Sequence, residues 1–460
     1  MSLTLDGTGL FGDAALLTRA DFMLALPRAA QARDRLLQME PAWRRLHARA
    51  DLLEACLRRA EEVRASQAPE FFVVLGIGGS ALGNTATIAA LAPVLQEWRP
   101  TAGAPRVFVL DNVDPDWLGE FFEAVPGDRM HVNVISKSGG TIETSAQFLL
   151  AWDHVRRATG SDAAARERFT ITTDPSGGHF RALADAQGFT TLPVPPGVGG
   201  RFSVLSPVGL FTAAMAGLDC ASLLEGAGKT DARLRAATPD QDPALAYALA
   251  HVLHMERGRR NHVHFVYSHR ARLLGDWYQQ LWGESLGKKR DLQGRVVHVG
   301  PTPIAAIGPT DQHSQIQLYV EGPDDKVYTF LAVDRFAREV AVPPPFADSP
   351  AFATLRGRSF GELMRAEREG TEIALAQAGR PWCRIELCRM DAFHLGAYFL
   401  FCEVATALAG ELLGVDPFDQ PGVEAGKINA LALMGAAGQE SLGVALRAEQ
   451  AARAAWRLSC

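Results

Sequence analysis

Two short stretches of this 460-residue chain concentrate glycine, serine, threonine and lysine in a pattern suited to holding an anion. The first is FFVVLGIGGSALGN, residues 71–84, and the second is HVNVISKSGGTIET, residues 131–144. Each is an apolar run followed by a Gly/Ser/Thr turn that opens a helix. In such a turn, free backbone N–H groups and the positive end of the helix dipole face whatever lies beyond the strand, and glycine lets the backbone approach it. Gly79 and Ser80 occupy the first turn. Ser136, Lys137, Ser138 and Thr141 give the second three hydroxyls and one cation within six residues, a set that fits a phosphate. A dinucleotide reading competes, because Gly76, Gly78 and Ala81 match G-x-G-x-x-A and Asp111 ends the next apparent strand. Asp111 lies 33 residues after Gly78, beyond the spacing of about 20 expected of a ribose-binding acid. The Ser-Lys-Ser cluster favours a phosphate or phosphosugar.

Further along, single reactive side chains stand where bulk packing does not call for them. Arg201 is the lone charge in PPGVGGRFSVLSPVGLF, 195–211, and a guanidinium in a glycine-rich loop can bind an oxyanion or a phosphate. Gln280 and Glu284 are four apart in YQQLWGESLGKK and share a helical face; a carboxylate beside Trp282 is suited to general-base work, although Lys288 and Lys289 also allow an ordinary surface glutamate. His313, in GPTDQHSQIQL, follows Asp311 at an apparent helix start, and Lys427 follows the loop DPFDQPGVEAG. His251, His254, His262 and His264 lack a nearby cysteine or carboxylate pair to complete a metal site, so they read as core or surface histidines and no metal is expected.

These groups must be positioned by strands and helices. From residue 69 the chain alternates FFVVLG, RVFVLD, HVNVIS, FTITTD and FTTLPV with helical stretches, which predicts a doubly wound α/β sheet with ligands at the strand C-terminal ends. The pattern restarts after a polar stretch at 229–243 with HVHFVYS, a helix, VVHVG at 296–300, KVYTFLAV and WCRIEL. Residues 14–66 read as helix throughout, broken only at Pro41, and as a cap on the first unit. The expected organisation is an N-terminal helical cap (1–66), two α/β units (67–235 and 236–437) and a C-terminal helix (438–460). The length favours two domains, and a net charge of −6 gives no reason to expect nucleic acid or an anionic membrane. Six cysteines without a C-x-x-C pair, and an N-terminus without a basic-then-apolar leader, point to the cytoplasm. The uncharged run 71–96 contains too much Gly, Ser, Thr and Pro to be taken as a membrane span.

The motifs GIGGSALGN, ISKSGGTIETS, GVGGRFSVLSPVGL, WGESLGKK, DQHSQ and FDQPGVEAGK, in this order, resemble those of the phosphoglucose isomerase family. That resemblance implies two sugar-isomerase (SIS) domains and reversible interconversion of glucose 6-phosphate and fructose 6-phosphate without metal or organic cofactor. It also implies a homodimer. Carried onto these residues, it implies a phosphate site at Ser80, Ser136, Lys137, Ser138 and Thr141, with Gly79 in the same turn. Glu284 resembles the base acting between C2 and C1, and Arg201 with the Gly200 backbone resembles the enediolate stabiliser. His313, from the neighbouring subunit, and Lys427 resemble the ring-opening pair, with Gln280 and Gln420 positioning the sugar. A mannose 6-phosphate isomerase and a non-catalytic sugar-phosphate sensor remain alternatives.

Overall fold

The computed structural model describes residues 3–12, 17–137, 139–346 and 348–453. Its first strand, β1 (Leu3–Asp6), belongs to a sheet built mostly from the far half of the chain. The nearer half forms its own sheet from β2 (Phe71–Leu75), β3 (Arg106–Leu110), β4 (Met130–Ile135), β5 (Phe169–Thr173) and β6 (Thr190–Pro193). These run parallel in the order β3-β2-β4-β5-β6. Strand alternation sends Phe72 and Val74 into one core and Val73 and Leu75 into another, so apolar residues are needed on both faces. The chain leaves β2 for β3 on one side and returns to β4 on the other. The crevice at that reversal opens where the two glycine-rich turns leave β2 and β4.

The second sheet begins with β7 (Asn261–Val266). β8 (Lys288–Arg290) and β9 (Val296–Val299) then form a separate antiparallel hairpin. β10 (Thr302–Ile307), β11 (Lys326–Arg335) and β12 (Trp382–Arg389) complete the order β1-β12-β11-β7-β10, parallel except for β1. The expected sheet strand at 296–300 is therefore a hairpin arm, and its place beside β7 is taken by β10. Pro303 makes β10 hard to recognise, yet an edge strand tolerates it because only one side must pair.

The N-terminal region breaks at Pro41 as expected, but the chain does not return to α-helix at once. It is divided into Arg19–Met39, a 3-10 stretch Ala42–Ala48 and Ala50–Gln67, while residues 14–16 lie outside the described residues. Nor is it a cap on the first unit alone, because Leu3 pairs with Leu387 on β12. At the other end the terminal helix is seen over Glu440–Arg453, and residues 454–460 of the expected segment lie outside the described residues.

The helix Ala392–Leu413 is long and apolar enough to cross a membrane, but 89% of its most apolar window is buried inside the protein. It crosses the helix Cys220–Ala236 at glycine contacts. A Cβ on Gly396 would lie 1.8 Å from the Leu223 carbonyl oxygen, and one on Gly226 would lie 1.8 Å from that of Phe393. Backbone, which cannot move aside as a side chain can, fills the space on both sides. Gly396→Ala is therefore expected to destabilise the protein by about 1–3 kcal/mol or more in chemical denaturation. Gly370→Ala, in a helix with open space around it, should instead be neutral or stabilising by up to about 1 kcal/mol.

Candidate active site

The first anion turn meets two other segments at close range. Gly78 has φ +58°, and a Cβ there would lie 2.9 Å from Nε2 of Gln280. A Cβ on Gly79 would come within 2.3 Å of the Gly200 carbonyl carbon. Only glycine allows the β2 turn, the 199–202 turn and the helix Arg272–Leu286 to converge here. On the neighbouring strand end, Ser136 is buried and its Oγ accepts from the Gly139 N–H at 3.2 Å. Lys137 donates from Nζ to the Val198 carbonyl at 2.9 Å, tying the second turn to the loop that carries Arg201. Thr141 caps the helix Ile142–Thr159 with no side-chain capping hydrogen bond. Ser138 lies outside the described residues.

Arg201 organises the crevice. It is 4% exposed, and four of its N–H groups have acceptors: Ser285 Oγ at 2.7 Å, Gln420 Oε1 at 2.9 Å, and the carbonyls of Pro417 and Asp419 at 2.7 and 2.9 Å. A guanidinium has five N–H groups. Its Nη1 also lies 3.6 Å from Glu284 Oε1, whose side chain retains 24% exposure. Burial draws the Arg201 pKa below its ordinary value, while the charges of Glu284, Asp419 and Asp416 oppose that shift. Gln280 Nε2 donates to Glu284 Oε2 at 3.0 Å, and Gln280 Oε1 is buried without a partner among the described residues. The result is a carboxylate open to the crevice, a fixed cation beside it and an amide acceptor without a donor. Such a set can remove a proton from carbon and stabilise the oxyanion that develops.

Gly79, Ser80, Gly200, Arg201, Gln280, Glu284 and Gln420 thus come together, with Ser136, Lys137 and Thr141 on the adjoining strand end. Two other sequence candidates have no hydrogen bond or ion pair to these groups among the described residues. His313 is exposed at the end of the turn Thr310–Gln312, and its imidazole has no hydrogen-bond partner among the described residues. Lys427 is exposed on the helix Glu424–Leu433 and pairs with Glu424 at 2.9 Å. Trp282 does not flank the carboxylate but packs inward, its indole N–H donating to His262 Nδ1 at 2.8 Å. Sequence reasoning missed Ser285, Lys288 and Asp419. A lysine four residues beyond Glu284, where the last carbonyls of a helix need donors, was the available signal.

The histidines set aside as metal ligands line the core beneath this helix. His251 reaches the Tyr247 carbonyl and Thr329 at 2.8 and 3.1 Å, and His264 reaches the Tyr398 hydroxyl at 2.8 Å. Burial pushes His251 down to about 4, and His254 and His264 down to about 3.

Two open α/β sheets joined by a crevice of glycine turns, with a carboxylate beside a buried guanidinium, define a two-unit α/β protein with a ligand site between its units. The phosphoglucose isomerase family model matches residues 63–442. The glucose-6-phosphate isomerase of Rubrobacter xylanophilus is 41% identical over 436 residues, covering 95% of this chain and 99% of that one. A hypothetical protein from Thermus thermophilus superposes with a TM-score of 0.84 at 35% identity, over 94% of this chain and 100% of that one. A Chlamydia trachomatis glucose-6-phosphate isomerase shares the fold, with a TM-score of 0.81 at 22% identity over 98% and 92% of the two chains. The chain belongs to the phosphoglucose isomerase family.

Arg201→Ala removes the donor to two carbonyls and a buried hydroxyl, and should lower stability by about 3–5 kcal/mol in denaturant titration. The buried histidines set an acid limit. Because the unfolded chain binds protons near the ordinary value of 6.5 and the folded one does so only near 3–4, the unfolded state holds more protons between those values. Stability should therefore fall as pH drops from 6.5 toward 4, seen as a declining Tm across that window.

Proposed function

We propose that this protein interconverts glucose 6-phosphate and fructose 6-phosphate through an enediolate, needing neither metal nor organic cofactor. The observation that carries the reading is the contact of Glu284 with Arg201 and Gln280 directly beside the Gly78–Gly79 turn. The phosphate binds at Ser80, Ser136, Lys137, Ser138 and Thr141. Glu284 takes the proton from C2 and returns it to C1. The fifth Arg201 N–H, on Nη1 3.6 Å from Glu284 Oε1 and without a hydrogen-bond acceptor among the described residues, is available to the enediolate oxygen, where negative charge appears only as the proton leaves. Gln280 and Gln420 align the open chain, and Gly200 holds its turn against Gly79.

Ring opening requires proton delivery to the ring oxygen and removal from the C1 hydroxyl, roles we assign to His313 and Lys427. The exposure of His313, whose imidazole has no hydrogen-bond partner among the described residues, supports a homodimer in which each subunit's His313 serves the other's site. Exposed Val423, Ile428, Met434 and Val444 on the C-terminal segment are suited to contact with a second copy. We place the reaction in the cytoplasm and assign the two halves of the site to units 67–235 and 236–437.

A coupled assay of fructose 6-phosphate conversion, with EDTA present and mannose 6-phosphate tested in parallel, checks the activity. EDTA-resistant turnover of fructose 6-phosphate alone is expected; binding without turnover would favour a sensor and sink the reading. Glu284→Gln should abolish turnover while retaining fold and sugar-phosphate binding. Mixing Glu284→Gln with His313→Ala subunits should restore turnover, because one site of each mixed dimer then holds both wild-type residues. No recovery after verified subunit exchange would rule out sharing across the interface.

A further inference from the structure

The base and Gln420 are connected by a buried ammonium that the chemistry above leaves without a role. Lys288 follows the last turn of the helix Arg272–Leu286 and is 7% exposed, whereas Lys289 beside it is exposed. Its Nζ lies 3.1 Å from the Glu284 carbonyl, 2.5 Å from the Asp419 carbonyl and 3.0 Å from Asp419 Oδ1. An ammonium carries three N–H donors, and these acceptors match them in number. The Asp419 carbonyl also accepts from Arg201 Nη2 at 2.9 Å, so one peptide oxygen sits between two buried cations. The next residue is Gln420, whose side chain accepts from the same guanidinium.

Three separately folded segments thus share one junction: the helix that carries Glu284, the loop 414–420, and the 199–202 turn with Arg201. Resting on the isomerase reading, we propose that Lys288 is a positioning residue of the reaction. By pinning the Glu284 main chain and the 419–420 peptide to one point, it sets the base against Arg201. It touches no reacting atom; its influence passes through those two carbonyls. Because the phosphate turns belong to the other sheet, losing Lys288 leaves sugar-phosphate binding largely intact and misplaces the base.

The test is Lys288→Met, which keeps most of the stem and removes the donors, measured beside Lys288→Arg and wild type. Per folded molecule, kcat should fall about 10- to 100-fold, as expected for a small displacement of a catalytic group. KM should change by less than about threefold, because uniform binding is untouched. Lys288→Arg, keeping the charge but replacing a three-way donor with a planar fork, should recover part of kcat. A folded Lys288→Met with wild-type kcat, or a KM that rises as much as kcat falls, overturns the proposal. If Lys288→Met does not fold, wild-type kcat in Lys288→Arg overturns it equally. Inactive wild type would sink the isomerase reading itself, whereas active wild type with an indifferent Lys288 sinks only this one.

Discussion

A guanidinium removed from water cannot give up its charge, so the protein around it must supply acceptors. Arg201 is the point where this requirement shapes the molecule. Its acceptors come from Ser285 on one helix and from Pro417, Asp419 and Gln420 on a loop more than two hundred residues away in sequence. Satisfying them forces the 199–202 turn, the helix Arg272–Leu286 and the 414–420 loop into one arrangement. The carboxylate of Glu284 then lies beside a cation whose position is already fixed. Little reorganisation is left for the moment when negative charge develops on a substrate oxygen, and that economy is what makes a preorganised cation effective.

Such an arrangement is possible only if the backbones can approach. Gly79 against Gly200 and Gly78 under Gln280 bring the first sheet's anion turn to the guanidinium without an intervening side chain. The same device recurs where Gly226 and Gly396 let two helices cross closely. Glycine is thus used here for proximity, and the anion turn and the helix Arg272–Leu286 that carries Glu284 meet because of it.

The first sheet is legible in the sequence because β2 is an unbroken apolar run ending in glycine, and β3, β4 and β5 are short β-branched or aromatic stretches that end in Ser or Asp before helical segments. The second is less so. β10 carries Pro303 and sits at an edge, and β1 is only four residues long and pairs with a strand nearly four hundred residues away, so neither has a local signature. Among site residues, Glu284 and Arg201 stand out as isolated charges in apolar or glycine-rich surroundings. Lys288 does not, because a KKR run reads as solvated surface; its burial follows from the Glu284 carbonyl and the Asp419 carbonyl and carboxylate, distant in sequence, that take its ammonium. His313 and Lys427 are legible through motif resemblance alone, since within one chain neither has a neighbour that marks it.

The proposed division of labour between the phosphate turns and the base with its guanidinium has a physical consequence. In the proposed reaction the phosphate contacts, made equally well before and during proton transfer, act by orienting the sugar. The contacts proposed to strengthen as the oxyanion forms are those of Arg201, whose turn packs directly against Gly79. The anion turns can then be built from backbone N–H groups and small hydroxyls, while the base lies beside two buried cations, Arg201 and Lys288, whose donors are largely satisfied. The proton-transfer half must be the more rigid, because an error of one ångström at the base matters more than one at a phosphate that several N–H and O–H groups can follow.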